Sequence, residues 1–235
     1  MYVQFCVDVN RKENTKPTGK TIGLDVGLKE YYTDSNGVTV ENPRFLRKSE
    51  RILKRSQRRV SRKVKGSKNR GKARQVLGKR HLKISRQRKD HAVKLARCVV
   101  QSNDLIAYED LRIKNMVQNH CLAKSINDAS WYQFRVWLEY FGKVFERVTV
   151  AVNPQYTSQE CSSCGEIVKK TLSTRTHACK CGCLMDRDFN AAINILSRGL
   201  GTVGHTGTFA LDANNALGEL TSTVVGEIQL EQVGS

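Results

Sequence analysis

The stretch TIGLDVGLKEYYTDSNGVTV, residues 21–40, decides the architecture. Its first part is a short apolar run ended by Gly27. The two β-prone runs that follow are divided by Asn36 and Gly37, a dipeptide that favours the tight turn of a hairpin. Antiparallel strands are therefore predicted here, with Asp25 on the first. Toward the N-terminus, MYVQFCVDV alternates apolar and polar residues like a half-buried strand, and the polar KENTKPTGK reads as a turn region. Toward the C-terminus, residues 44 to 103 are rich in Arg, Lys, Gln and Ala and contain no proline. That composition predicts two long helices broken around Lys65 to Lys72, where GSKNRG supplies two glycines, with the second docking on the core by its C-terminal end. LIAYE (105–109) then reads as a buried strand, DASWYQFRVWLEYFGKVFERV (128–148) as an amphipathic helix, RVTVAVNP (147–154) as a strand stopped by Pro154, and FNAAINILSR (189–198) as a helix. Residues 199–235 have no firm period and read as a weakly ordered tail. The order implies a mixed α/β fold, with helices packed on a sheet that is partly antiparallel and partly parallel.

Three acidic strings stand out on this framework: GLDVG with Asp25, LIAYEDL with Glu109, and MDRDFNAAINIL with Asp186 and Asp188. Each places a carboxylate at the end or middle of an element that apolar neighbours predict to be buried. Burying an ionised carboxylate costs several kcal/mol without cationic compensation, and converging carboxylates also repel one another. Divalent ions resolve both problems, and oxygen-rich sites with open positions suit Mg²⁺ or Mn²⁺, the ions of phosphodiester cleavage. Taken singly, each acid has a plainer reading. Asp25 could cap the turn before Gly27, Glu109 could be a strand-end charge beside a helix-capping Asp110, and Asp186 or Asp188 could cap the last helix.

The charge distribution bears on that choice. The net charge is +18, and residues 44–90 hold 21 Lys and Arg against only Glu50 and Asp90, so the rest of the chain sums to −1. So dense a block repels itself unless it meets a polyanion, whereas along nucleic acid it gains free energy through counterion release. Arg51, Arg55, Arg58, Arg59 and Arg62 are the candidate phosphate contacts. No window approaches the roughly 20 apolar residues of a membrane span, and MYVQFCVDVN lacks the marks of a signal peptide, so a soluble intracellular protein is expected. Five of the eight cysteines fall between Cys161 and Cys183. Cys161-x₂-Cys164-Gly165 and Cys179-Lys180-Cys181-Gly182-Cys183 are two thiolate knuckles, the pattern of a closed, structural zinc ribbon. Cys161, Cys164, Cys179 and Cys181 are the expected ligands. Cys183 competes with Cys181, and His177 is either a substitute ligand or a polar residue of the ribbon.

GLDVGLKEYYTDSNG, LIAYEDLRIKNM, VNPQYTSQECSSCG and MDRDFNAAINIL together resemble the RuvC-like nuclease of the TnpB family, transposon-encoded RNA-guided endonucleases related to type V CRISPR effectors. The resemblance runs from about residue 20 to 200, with four separated motifs in the family's order. It implies an RNase H-like (RuvC-type) core over 21–156 with a basic helical insertion at 44–100, a zinc ribbon at 157–185, and a last nuclease helix at 186–198. Residues 1–20 would be a remnant wedge strand and linker, because the family normally carries a wedge and a helical recognition region first, and the resemblance therefore implies an N-terminally short form, either natural, a decayed transposon gene or a fragment. Asp25, Glu109 and Asp188 correspond to the catalytic acids that hold magnesium or manganese in a two-metal mechanism. The family's third Asp lies two residues before the Asn of the NAA string, here Asn190, which favours Asp188 and leaves Asp186 a supporting or capping role. The implied cofactors are catalytic Mg²⁺ or Mn²⁺ and one structural Zn²⁺. The implied partners are DNA and guide RNA, with a longer relative or a second copy as further candidates, in the nucleoid-associated cytoplasm of a prokaryote. The alternative is a non-cleaving nucleic-acid-binding module, a repressor or a guide-RNA-binding partner. A strand-transferring transposase on the same fold would present its acids as Asp, Asp, Glu.

Overall fold

In the computed structural model, which describes residues 11–13, 15–171 and 173–203, the elements follow in the order β1 (Thr21–Val26), β2 (Glu30–Asp34), β3 (Thr39–Glu41), α1 (Phe45–Ser61), α2 (Lys68–Ser102), β4 (Leu105–Glu109), α3 (Ile113–Met116), α4 (His120–Ala129), α5 (Trp131–Phe145), β5 (Val148–Val152), β6 (Thr176–Ala178), β7 (Leu184–Asp186) and α6 (Arg187–Thr202). One sheet runs β3-β2-β1-β4-β5. Its β1–β2 and β2–β3 pairs are antiparallel and its β1–β4 and β4–β5 pairs parallel, so the fold is mixed α/β with a mixed sheet. The hairpin turns at Gly37, whose φ of 81° an L side chain rarely adopts, and the Asp34 carboxylate closes the turn by accepting from the amides of Asn36 and Val38.

Strand periodicity sorts the core into two layers. Ile22 and Leu24 of β1, with Ile106 and Tyr108 of β4, meet Ala92, Ala96, Val99 and Val100 of α2 and Phe134, Leu138, Phe141 and Phe145 of α5. The alternate residues, Leu105 and Ala107 with Val152 of β5, meet Ile195 and Leu196 of α6 on the opposite face. The α6 face is unusually thin. A Cβ built on Gly23 would collide with the Ala192 carbonyl and lie 2.7 Å from the Leu196 amide nitrogen, and one on Gly199 would lie 2.5 Å from Ala107 Cβ. Glycine at these two positions lets the helix rest against the strands with almost nothing between. At the lower edge of the sheet, Arg147 Nη1 meets Asp104 Oδ1 at 2.8 Å, both side chains about 95% buried. Asp104 also accepts from the Thr18 and Gly19 amides, so both members of this buried pair have partners and the segment before β1 is fastened to β4 and β5.

Several expectations are corrected. The helix predicted from Asp128 is two: α4 ends at Ala129, Ser130 takes φ 58°, and α5 begins at Trp131. Asp128 is drawn elsewhere, because its carboxylate accepts the Leu46 and Arg47 amides at the start of α1. Helices α3 and α4 were not foreseen. Only Gly66 of the two break glycines lies in the break; Ser67 caps α2 and Gly71 lies inside it. The last helix continues to Thr202, four residues into the expected tail. The strand expected in MYVQFCVDV and the tail from 204 onward lie outside the described residues.

Gly23→Ala should lower the unfolding free energy by about 1–3 kcal/mol or more, because backbone rather than a flexible side chain obstructs the new methyl. Gly78→Ala, in the middle of α2 with nothing within 4 Å, should raise it by about 0.5–1 kcal/mol. Thermal melts of the two variants against the parent check both signs.

Candidate active site and metal centre

Asp25 shares the face of Gly23 because strand side chains alternate, and Glu109 shares the face of Leu105 and Ala107; both therefore point to the α6 side. The parallel register Gly23↔Ala107 and Leu24↔Tyr108, carried one step on, sets Asp25 beside Glu109 where both strands end. Helix α6 starts above that point, with Asp186 as its N-cap and Asp188 in its first turn. The Asp186 carboxylate accepts from the Asp188 amide at 2.8 Å and the Phe189 amide at 3.3 Å, and so is committed to the helix end.

The electrostatics are those of a frustrated cluster. Burial pushes the Asp25 carboxyl well above the usual carboxylate range, and the charges of Glu109, Asp188 and Asp186 add to the rise while Arg187 opposes it. Glu109 is raised by burial too, opposed by a hydrogen bond from Thr157 Oγ1 at 2.5 Å and by the charge of Arg198. Asp188 is compensated otherwise: Arg187 donates to Oδ1 at 2.9 and 3.0 Å, and Arg175 to Oδ2 at 3.3 Å. Among the described residues, only cysteine-containing groups bring three or more ligand atoms within 4.8 Å of one another. The three carboxylates interact through charge without reaching that closeness. Hard carboxylate oxygens, half-buried and mutually repelling, are nonetheless the donor set a divalent cation stabilises, and the arginines at Asp188 mark where cationic compensation is required.

The thiols converge more closely. Cys161, Cys164, Cys179 and Cys181 form one group, with Sγ–Sγ separations of 3.7 Å for Cys161–Cys181 and 3.6 Å for Cys164–Cys179. Zn–S bonds of about 2.3 Å at tetrahedral angles require an edge of about 3.8 Å, so the group can hold a metal ion and its dimensions fit zinc. Each knuckle turns on a glycine with positive φ, Gly165 at 77° and Gly182 at 91°. The Cys161 thiol falls to about 5: burial opposes its ionisation, but the amides of Ser163 and Cys164 and the side chains of His177 and Cys181 outweigh it. A second group, Cys161 with His177 and Cys183, overlaps the first. His177 is fully buried and its Nδ1 touches Lys170 Nζ. The His177 Nε2 is buried with no hydrogen-bond partner, and with Cys161 and Cys183 the ring is close enough to form an alternative ligand set.

The basic residues lie apart from both. Arg51, Arg55, Arg58 and Arg59 of α1 and Arg62 at its C-cap are exposed and line a solvent-open groove with Lys54 and Lys63, while Leu53, Ser56 and Val60 turn toward α2. Sequence reasoning missed Thr157, Asn194 and Arg198, which hold the segment leading into the ribbon, and Arg187 and Arg175 at Asp188. Only Arg187, between two acids, carried a signal that could have been used.

Residues 4–120 match the OrfB family of IS605, described as a probable transposase, and residues 131–195 match the TNB domain of Cas12f1-like proteins. A Streptomyces pristinaespiralis protein named "Putative RNA-guided DNA endonuclease" is 38% identical over 185 residues, covering 78% of this chain and 46% of that protein. The Escherichia coli K12 protein of that name, InsQ, is 33% identical over 215 residues, covering 84% and 54%. The mimivirus TnpB-like protein L79 is 28% identical over 220 residues, covering 85% and 41%. The cryo-EM structure of a Cas12f1-sgRNA-target DNA complex superposes with a TM-score of 0.54 at 16% identity, over 78% of this chain and 51% of that one, a likeness of fold. The chain belongs to the TnpB family, and it spans about half the length of the relatives it matches. No helix among the described residues is long and apolar enough to cross a membrane.

Two outcomes follow from the geometry. A carboxyl raised in the folded state stabilises it at acid pH, and that contribution is lost as pH climbs from the ordinary carboxylate range through the raised value. In magnesium-free buffer Asp25→Asn should therefore melt higher than the parent at pH 7, by about 2–4 °C for each ~1 kcal/mol of relieved repulsion, with the gap closing toward pH 4. Coincident melting curves across that range would contradict the frustration. For the ribbon, one zinc per chain should be found by metal analysis and lost in Cys161→Ser, Cys164→Ser and Cys181→Ser but retained in Cys183→Ser. Loss in Cys183→Ser with retention in Cys181→Ser would exchange the two ligands.

Proposed function

We propose that this chain is the catalytic half of a transposon-associated RNA-guided nuclease, an endonuclease that hydrolyses DNA phosphodiesters with Mg²⁺ or Mn²⁺. The observation that carries it is the meeting of Asp25, Glu109 and Asp188 from β1, β4 and α6 on one face at the ends of two adjacent parallel strands. The sheet order and the crossing of α6 over β1 and β4 support assignment to the RNase H-like, RuvC-type fold. On this reading the core spans 21–156 with the basic helices inserted at 44–100, the ribbon occupies 157–185, and α6 completes the nuclease.

Asp25, Glu109 and Asp188 would hold the divalent ions, and Cys161, Cys164, Cys179 and Cys181 a structural zinc. The chemistry supplied at the carboxylates when the ions are bound is activation of the attacking water and stabilisation of charge on the leaving oxygen. The chain's own residues do the remainder. Asp186 fixes the first turn of α6 and thereby the start of Asp188's helix. The exposed arginines of α1 bind phosphates without reading bases, which suits a protein whose sequence choice is delegated to guide pairing. The names of the Streptomyces and E. coli relatives, and the RNA and DNA held by the Cas12f1 neighbour, support guide RNA and target DNA as partners. One observation favours a second reading, a non-cleaving binding module: the carboxylate of Asp188 is already engaged by Arg175 and Arg187.

Strand cleavage by the full chain with Mg²⁺, with and without co-purified RNA, separates the two. Asp25→Ala, Glu109→Ala and Asp188→Ala should each abolish cutting and leave nucleic-acid affinity nearly unchanged, and Ca²⁺ should support binding only. Asp186→Ala should chiefly lose a helix cap, about 1 kcal/mol of stability, and retain measurable cleavage. Replacing Arg51, Arg55, Arg58, Arg59 and Arg62 by Gln should weaken binding alike on all sequences and flatten its salt dependence by roughly 0.9 per phosphate contact removed. A parent chain inert with Mg²⁺ and Mn²⁺ on single-stranded and double-stranded DNA, with RNA and without, would leave the binding module as the function.

A further inference from the structure

We propose that Thr157 is a positioning residue that sets the Glu109 carboxylate for its cation, and that helix α6 enforces the setting through the polar stripe Asn190, Asn194 and Arg198. The proposal rests on the reading of Glu109 as a metal ligand.

Thr157 lies in the irregular segment between Val152, the last residue of β5, and Cys161. It is 3% exposed, and its hydroxyl reaches Glu109 Oε1 at 2.5 Å, with the Pro154 carbonyl a longer alternative acceptor at 3.1 Å. A hydroxyl has one proton to donate, and an ionised carboxylate is the stronger acceptor. The segment is strained: Tyr156 has φ 62°, a conformation a non-glycine residue keeps only when its surroundings over-determine it.

That over-determination comes from α6. Residues 190, 194 and 198 are four apart and so share one face of the helix. Arg198 Nη1 donates to the Asn153 carbonyl at 2.8 Å and the Gln155 carbonyl at 2.7 Å, just before the strained residue, and Nη2 to Glu160 Oε2 at 2.5 Å just beyond it. Asn194 Nδ2 donates to the Thr157 carbonyl at 2.9 Å and the Glu160 carbonyl at 2.7 Å. Asn190, fully buried, donates to the same Glu160 carbonyl at 2.7 Å and accepts the Ser162 amide at 3.0 Å, inside the first cysteine knuckle. The helix that carries Asp188 thus also holds the backbone of Thr157 and the root of the ribbon. Two of the three acids are referred to one rigid element, and the ribbon is fastened to the same face.

The test is Mn²⁺ binding to the full chain, read from free Mn²⁺ by electron paramagnetic resonance, with zinc content and nucleic-acid affinity measured alongside. Thr157→Val keeps the shape and removes the hydroxyl, and should weaken Mn²⁺ binding roughly 10-fold with zinc and nucleic-acid binding unchanged. Thr157→Ser should restore most of the affinity, which a purely space-filling role would not require. Asn194→Ala leaves the hydroxyl present but frees its backbone, and should weaken Mn²⁺ binding in the same direction, which keeps the proposal testable if the valine variant does not fold. A parent chain that binds Mn²⁺ together with a folded Thr157→Val of undiminished affinity would overturn the positioning role alone. A parent chain that binds no Mn²⁺ would overturn the metal reading of Glu109, and this proposal with it.

Discussion

Helix α6 rests on β1 and β4 at a distance that only glycine permits, and most of the candidate site is a consequence of that contact. With Gly23 beneath Ala192 and Leu196, and Gly199 against Ala107, the helix axis is fixed relative to the two central strands without an intervening layer of side chains. The helix start is then delivered to the place where β1 and β4 end, and Asp188 comes near Asp25 and Glu109 although Asp25 and Asp188 are 163 positions apart in the chain. A larger residue at either glycine would push the helix away from the strands, and the start of α6 that carries Asp188 with it.

The same proximity makes the metal-free arrangement electrostatically unfavourable. Asp25 and Glu109 are both held above the usual carboxylate range, while Arg187 and Arg175 occupy Asp188. Folding free energy is sacrificed at this point, and the packed layers elsewhere offset it: the aromatic residues of α5 and the alanine and valine face of α2 on one side of the sheet, Ile195 and Leu196 on the other. A cluster so arranged is stabilised by whatever cation enters it.

The basic helices stand in contrast. Helix α1 turns three short or apolar residues toward α2 and exposes its arginines, so the positive charge is spread over a long surface on an element that carries none of the three acids. Separation of the two allows binding along a backbone and chemistry at a point to be altered independently. The ribbon lies between these functions in sequence, and α6 ties it to the acids through Glu160, Asn190 and Asn194.

The sequence alone determined the local elements wherever periodicity or composition was strong: the Asn36-Gly37 hairpin, the proline-free basic helices, the strand LIAYE and the paired cysteines. It also marked Asp25 and Glu109 as acids in apolar strands, because a buried carboxylate is conspicuous against such neighbours. It did not reveal the division at Ser130, since Asp128 is diverted to the distant start of α1, nor the extension of α6 to Thr202 beyond Gly199 and Gly201. Tertiary structure decided the rest. The choice of face, the close seating of α6, the capping duty of Asp186 and the hydrogen bond from Thr157 to Glu109 all join residues far apart in the chain or depend on helix register. Periodicity reports which side of an element is apolar, but only the packing of one element on another determines which polar atoms meet.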